Sequence, residues 1–260
     1  VKALIVGDVV GGVGLRALLG TLPALREEHE PDLVVVNAEN AAGGAGTSAR
    51  QVKDLLAAGV DVLTGGNHTL RQADLLPVLA SEPRVLRPEN LAIRAPGGGL
   101  AVVGAADGTR VAVINVLGNV FMDAVASPFG IIDGLVERAR GEAPVVIVDV
   151  HAEATSEKVA MGLHLDGRVT AVVGTHTHVQ TADARVLAKG TAYVTDLGMT
   201  GPHDSVIGVR ADIILARFLS GRPGRFEPAD GGVLVQGALV DAEPDGRARA
   251  ITTFSVPPAE

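Results

Sequence analysis

Five short apolar runs end in the same way, and this recurrence constrains the fold more than any other feature of the chain. Lys2 to Val6 leads to Asp8, Asp32 to Val36 leads to Glu39, and Val60 to Leu63 leads to Asn67 and His68. Val145 to Val148 leads to His151, and Thr170 to Val173 leads to His176 and His178. Runs of four or five residues rich in valine read as buried strands. The first three are followed by helical patterns: Gly14 to Glu28, Ser48 (as N-cap) through Ala58, and a stretch from His68 to about Leu79. Pro23 should bend or break the first of these near Leu22. Strand, loop and helix repeated three times imply a parallel sheet, in which ligands bind beyond the carboxyl ends of the strands. The polar residues sit at those ends.

Past Leu91 the pattern becomes β-rich. Leu91 to Ile93, Leu100 to Val103 and Arg110 to Val116 suggest antiparallel hairpins around Gly97–Gly99 and Asp107–Gly108. Leu117 to Gly130 is irregular and holds Phe121, Met122 and Phe129, as a loop packed on the core, at a subunit contact or lining a substrate. Pro128 to Arg140, Thr155 to Leu163 and Val209 to Leu219 read as helices, Thr191 to Thr195 as a strand, and Val233 to Val256 as two strands around Asp245–Gly246. Gly174 should let the chain turn sharply, so that His176 and His178 aim at one point. With no linker or fixed repeat, residues 1–260 read as a single domain.

Composition narrows the function. The 22 basic and 30 acidic residues give a net charge of −8, which argues against stable binding of duplex nucleic acid. A small anionic substrate remains open if metal ions supply the positive charge. Without cysteine there is no thiolate ligand or cysteine nucleophile, as suits a reducing compartment. With no leader pattern and no long apolar span, a soluble cytoplasmic protein without membrane contact is expected. A second copy of the chain is left open as a partner.

Asp8, Glu39, Asn67, His68, His151, His176 and His178 at successive strand ends are what a shared metal site requires. A bridging carboxylate can hold two cations roughly 3.5–4 Å apart. Oxygen and imidazole donors without sulfur suit manganese, iron or zinc. For His176 and His178 taken alone, the alternative is a pair of solvated loop histidines.

Asp8, Gly66-Asn67-His68, His151 and Gly174-Thr175-His176-Thr177-His178 resemble the binuclear metallophosphoesterase pattern. Val10 stands where that pattern has a histidine, Ala38-Glu39-Asn40 replaces its Gly-Asp, and Thr175 is an addition. Those departures resemble the bacterial YmdB-like phosphodiesterases. So do Gly7-Asp8-Val9-Val10-Gly11, the stretch from His151 to Lys158, and Thr191 to Gly201. The resemblance implies an α/β fold, a metallophosphoesterase-type β-sandwich of two mixed sheets flanked by helices. It implies two divalent or trivalent ions, iron first, with manganese or zinc as substitutes. Asp8, Glu39, Asn40 and His178 would hold one ion. Glu39 would bridge to the second, held also by Asn67, His151 and His176. The implied reaction is hydrolysis of 2',3'-cyclic nucleotides to 3'-nucleotides by metal-activated hydroxide, with His68 as proton donor. A role for His68 in orienting a ligand is the alternative. Two other functions share the site: a broader phosphoesterase acting on phosphomonoesters or RNA ends, and a regulatory protein with a structural metal site.

Glu153 and Asp196 are candidates for orienting ligands, and Glu153 also suits a helix N-terminus. Thr64, Thr175 and Thr177 either hydrogen-bond ligands or cap strand ends. His29, His164 and His203 read as surface residues. Gly11 to Gly14 only loosely resembles a phosphate loop.

Overall fold

The computed structural model describes residues 1–124 and 126–259. Its described strands form two mixed sheets. The first contains β1 (Lys2–Val6), β2 (Asp8–Val9), β3 (Leu33–Asn37), β4 (Val62–Thr64), β11 (Met199–Pro202), β12 (Val233–Ala242) and β13 (Ala248–Val256). The second contains β5 (Leu100–Gly104), β6 (Arg110–Leu117), β7 (Val145–His151), β8 (Ala171–Thr175), β9 (Arg185–Val186) and β10 (Ala192–Val194). Strands β1, β3 and β4 are parallel to one another, as are β6, β7, β8 and β10. Antiparallel partners flank both groups. The helices are α1 (Gly11–His29), α2 (Ala49–Ala57), α3 (Leu75–Ser81), α4 (Pro128–Arg140), α5 (Thr155–Leu165) and α6 (Ala211–Ser220). Among the described residues, no helix is long and apolar enough to cross a membrane.

Alternation along the strands produces this layering. Ala3 and Ile5 of β1, and Leu33 and Val35 of β3, face the other sheet and meet Val113, Ile147 and Val173. Their neighbours Leu4, Val6, Val34 and Val36 face outward onto Leu18, Leu22, Leu55 and Leu75 of α1–α3. On the second sheet, Ile114, Val146 and Val148 face Ile132, Val136, Met161 and Leu165 of α4 and α5. Each such valine, leucine, isoleucine or methionine contributes about 1.5–3 kcal/mol on burial. The expected sandwich of two mixed sheets with flanking helices is therefore present.

The same alternation positions the polar residues. Continuing the inward face of β3, β6, β7 and β8 brings Asn37, Asn115, Asp149, His151 and Thr175 between the sheets at their carboxyl ends, all of them buried. An apolar core thus gives way to a buried polar layer at one end.

Several local expectations change. Helix α1 begins at Gly11, so Gly11 to Gly14 form its first turn rather than a phosphate loop. The helix continues through Pro23 to His29, since Leu18, Leu22 and Leu25 are buried around the proline and hold that segment on the sheet. Leu91 to Ile93 forms no strand and leaves Ile93 exposed. The helix expected after His68 is divided into a 3-10 turn, Thr69–Arg71, and α3. Gly174 lies inside β8, where a Cβ would collide with the Thr195 carbonyl oxygen. The turns fall instead on His176 (φ 97°) and His178 (φ 62°). Ser48 caps α2 through a reciprocal capping box with Gln51, as its sequence suggests.

Candidate metal centre

The seven candidate ligands and His68 converge where the two sheets' carboxyl ends meet. Glu39, fully buried just past β3, lies with Oε1 at 3.2 Å from His151 Nε2. That nitrogen is also 3.1 Å from Asn67 Oδ1 and 3.1 Å from His176 Nδ1. Beside them, Asn40 Nδ2 approaches His178 Nε2 at 3.1 Å and Glu39 Oε1 at 3.1 Å. Asp8 Oδ2 accepts the His176 backbone N–H at 3.0 Å, and Asp8 Oδ1 lies 4.0 Å from His178 Nε2. A Cβ on Gly66 would overlap both His151 Nε2 and a Glu39 carboxylate oxygen, so the close approach of the β4 end requires glycine.

His151 and His178 are each aimed by a hydrogen bond at the far nitrogen, the arrangement that orients metal ligands, and His176 has a carboxylate beside its own. His151 Nδ1 donates to Thr175 Oγ1 at 2.9 Å, and that hydroxyl donates to Asp149 at 2.8 Å. His178 Nδ1 donates to the Ile207 carbonyl at 2.8 Å. His176 Nε2 meets Glu153 at 3.2 Å. His151 Nε2, His178 Nε2 and His176 Nδ1 are left pointing at the carboxylates.

Burial and mutual charge set the electrostatics of the cluster. Burial raises the Asp8 carboxyl to about 6 against the pull of His151 and His178. Among the described residues Asp8 Oδ1 is buried with no hydrogen-bond partner. Burial also disfavours charge on Glu39, but His151 and His68 outweigh it and hold the carboxyl well below its ordinary range. Burial opposes charge on His151 too, yet Glu39, Asp8 and Asp149 raise it to about 9. Burial and the neighbouring His151 lower His176 to about 3. The charges on Asp8, Glu39 and His151 thus depend on one another in this buried cluster. Glu39, His151 and His176 could hold a metal ion, since each offers a ligand atom and these all lie within 4.8 Å of one another.

Asn40 Oδ1 is turned away from the cluster, accepting from His68 Nδ1 at 2.7 Å. Turning the amide end for end would present Oδ1 to His178 and Glu39, and Nδ2 to His68. His68 caps the 3-10 turn, its backbone N–H donates to Glu39 Oε2 at 2.9 Å, and its ring is partly exposed in a cavity above the cluster. That cavity holds about 380 Å³. No described residue of Leu117–Gly130 lines it; Val125 lies outside the described residues. Phe121 is exposed, while Met122 packs toward the second sheet's outer core.

The weaker candidates sort by contact. Thr64 and Thr175 bond Asp149, and Thr177 bonds Asp196, so none is an idle strand cap. Asp196 is buried against Lys158 Nζ at 2.7 Å and anchors the loop carrying both histidines. His164 is exposed beside Asp133, whereas His29 and His203 are half-buried rather than free on the surface. Sequence reasoning passed over Asp149, Asn37 and Lys158. Asp149 was detectable, since a strand residue two before His151 shares its face. Lys158 also had a signal, falling with Met161 and Leu165 on one face of α5.

The chain matches the YmdB-like protein family over residues 4–254. A 2',3'-cyclic-nucleotide 2'-phosphodiesterase of Bacillus subtilis (strain 168) is 41% identical over 242 residues, covering 93% of this chain and 91% of that protein. A crystal structure of a hypothetical protein from Thermus thermophilus matches with a TM-score of 0.93 at 42% identity, over 100% of both chains. That of a phosphatase from Mycoplasma pneumoniae matches with a TM-score of 0.92 at 33% identity, over 99% of this chain and 93% of that one. Shared sequence over nearly the whole length and shared backbone lead to one conclusion: this chain belongs to the YmdB-like family.

Proposed function

We propose that the chain is a metal-dependent phosphodiesterase that hydrolyses 2',3'-cyclic nucleotides to 3'-nucleotides. The observation that carries this reading is the convergence of three oriented imidazoles on Glu39 and the unpartnered Asp8 oxygen, beneath a cavity edged by His68. A volume of about 380 Å³ suits a mononucleotide. The similarity to the Bacillus phosphodiesterase supports the substrate class. The reading includes a cytoplasmic location, in keeping with a chain that has no cysteine.

In this reading Asp8, Glu39, Asn40 and His178 hold one ion, and Glu39, Asn67, His151 and His176 the other, iron first and manganese or zinc as substitutes. Two such ions would neutralise the diester's charge and lower the pKa of water toward neutrality. Thr175, Ile207 and Glu153 keep the imidazoles aimed. With the Asn40 amide turned so that Oδ1 faces the metal site and Nδ2 donates to His68 Nδ1, the His68 ring is fixed with its proton on Nε2, which it gives to the departing 2' oxygen. Water's oxygen is added to phosphorus as the bond to the 2' oxygen breaks.

The test is turnover of 2',3'-cyclic AMP beside 3',5'-cyclic AMP, with metal content measured on the same preparation. Metal-dependent release of 3'-AMP, far faster than opening of the 3',5' ring, is expected. Faster hydrolysis of phosphomonoesters than of the 2',3' ring would assign a broader phosphoesterase. Bound metal with no turnover of any ester would assign a structural site.

Glu39→Gln should lower metal content and activity together, because removing the shared negative charge leaves two close cations poorly screened. Elemental analysis showing two ions per chain in this variant would exclude Glu39 as the bridge.

A further inference from the structure

The cavity above the candidate metal centre has an apolar part beside its polar one. Phe226 contributes its ring to that apolar part and is 48% exposed, in a chain with only five phenylalanines, one tyrosine and no tryptophan. The Arg217 guanidinium lies over this ring, 5.0 Å from its centroid. Two backbone bonds hold the segment just after Phe226: Arg210 N–H donates to the Glu227 carbonyl at 3.0 Å, and Ala229 N–H to the Gly208 carbonyl at 2.9 Å. The strip between Gly208 and Arg210 continues from Ile207, whose carbonyl orients His178. The aromatic wall and a candidate metal ligand are thus fixed to one short segment.

The loop of Gly43, Gly44 and Ala45, with no side chain larger than a methyl, lines the same cavity as Phe226. A Cβ on Gly44 would lie 3.4 Å from Pro228 Cγ, so the two walls nearly meet at that end. Val10 and Val209 add to this apolar part, a slot continuous with the polar part lined by Glu39, His176 and His178 and by Asn40, His68, Glu153 and Thr177. A flat, uncharged and aromatic group attached to an anionic one fits both parts. Nucleobases stack on aromatic rings with little dependence on base identity.

We propose that Phe226, with Arg217 on its other face, is the nucleobase platform of the site, holding the base in the slot while the cyclic phosphate lies over the metal centre. This rests on the reading of the chain as a nucleotide phosphodiesterase. The side chains of Phe226, Val10 and Val209 and the loop of Gly43, Gly44 and Ala45 carry no group that reads the base edge, so the platform accepts all four bases and favours purines for their larger stacking area.

The experiment compares 2',3'-cyclic AMP with glycerol 1,2-cyclic phosphate, which has the same five-membered phosphodiester and no base. Phe226→Ala should lower the ratio of kcat/KM for the two substrates by roughly 5- to 150-fold, chiefly through KM for the nucleotide. Phe226→Trp should restore the ratio. Because the chain has no tryptophan, that variant also carries a single fluorescent reporter. Its emission should be quenched by 3'-AMP and left unmoved by glycerol 1-phosphate. An unchanged ratio in Phe226→Ala, or emission indifferent to 3'-AMP, overturns the platform. If the wild-type protein cleaves neither substrate, the phosphodiesterase reading fails, and fluorescence alone still decides whether the slot holds a base.

Discussion

His68→Ala is expected to retain its metals and lose roughly 10²–10⁴ in turnover of 2',3'-cyclic AMP. The 2' alkoxide is a poor leaving group and needs a proton as the bond to phosphorus breaks. His68 is suited to give it: Asn40 engages Nδ1, Glu39 accepts its backbone N–H, and the ring lines the cavity without joining the imidazole cluster. With bis-p-nitrophenyl phosphate, whose leaving group is stable as an anion, the loss should be much smaller. A residue that acts by orienting ligands would depress both substrates alike. Paired rate measurements, made after metal content is checked, separate the two roles. Equal losses would remove His68 as the acid and leave the metal centre standing.

Lys158→Met is expected to lower the free energy of unfolding by about 3–5 kcal/mol, because it strands a buried carboxylate. Lys158 and Asp196 are both almost wholly buried and meet at 2.7 Å. Thr177 and Gly198 would still donate to Asp196, but no positive charge would remain to offset its own. Replacing Asp196 with asparagine as well should recover much of the loss, since the double variant buries no ion. Urea unfolding of the wild type, both single variants and the double variant provides the cycle. Additive losses would mean that the pair is not the stabilising unit. Because Asp196 anchors Thr177 between His176 and His178, Lys158→Met should also weaken metal retention, measured by dialysis against a chelator.

Much of this arrangement was legible in the chain, for a local reason. Valine-rich runs of four or five residues specify buried strands whatever surrounds them, and the residues directly after them are carried to the strand ends by connectivity. Asp8, Glu39, Asn67, His68, His151, His176 and His178 were therefore found together from their positions alone, and the structure brings them into one cluster. Helix α4 and the β12–β13 hairpin were equally plain, with Pro128 opening the one and Asp245–Gly246 turning the other.

Other features depend on contacts that no local pattern encodes. Pro23 does not end α1, because burial of the leucines around it outweighs the local breaking tendency. Gly174 is required by the carbonyl of Thr195, a residue on the neighbouring chain segment after β10, rather than by a turn of its own. Asp149 bonds Asn37, Thr64 and Thr175 from three different strands, and Ile207 reaches His178 from 29 residues away. Sequence determined which donors reach the ends of the strands, since chain connectivity and side-chain alternation act over a few residues. Tertiary structure decided which nitrogen each histidine turns inward, which charge Lys158 neutralises and where Phe226 stands, since those follow from packing between segments far apart in the chain.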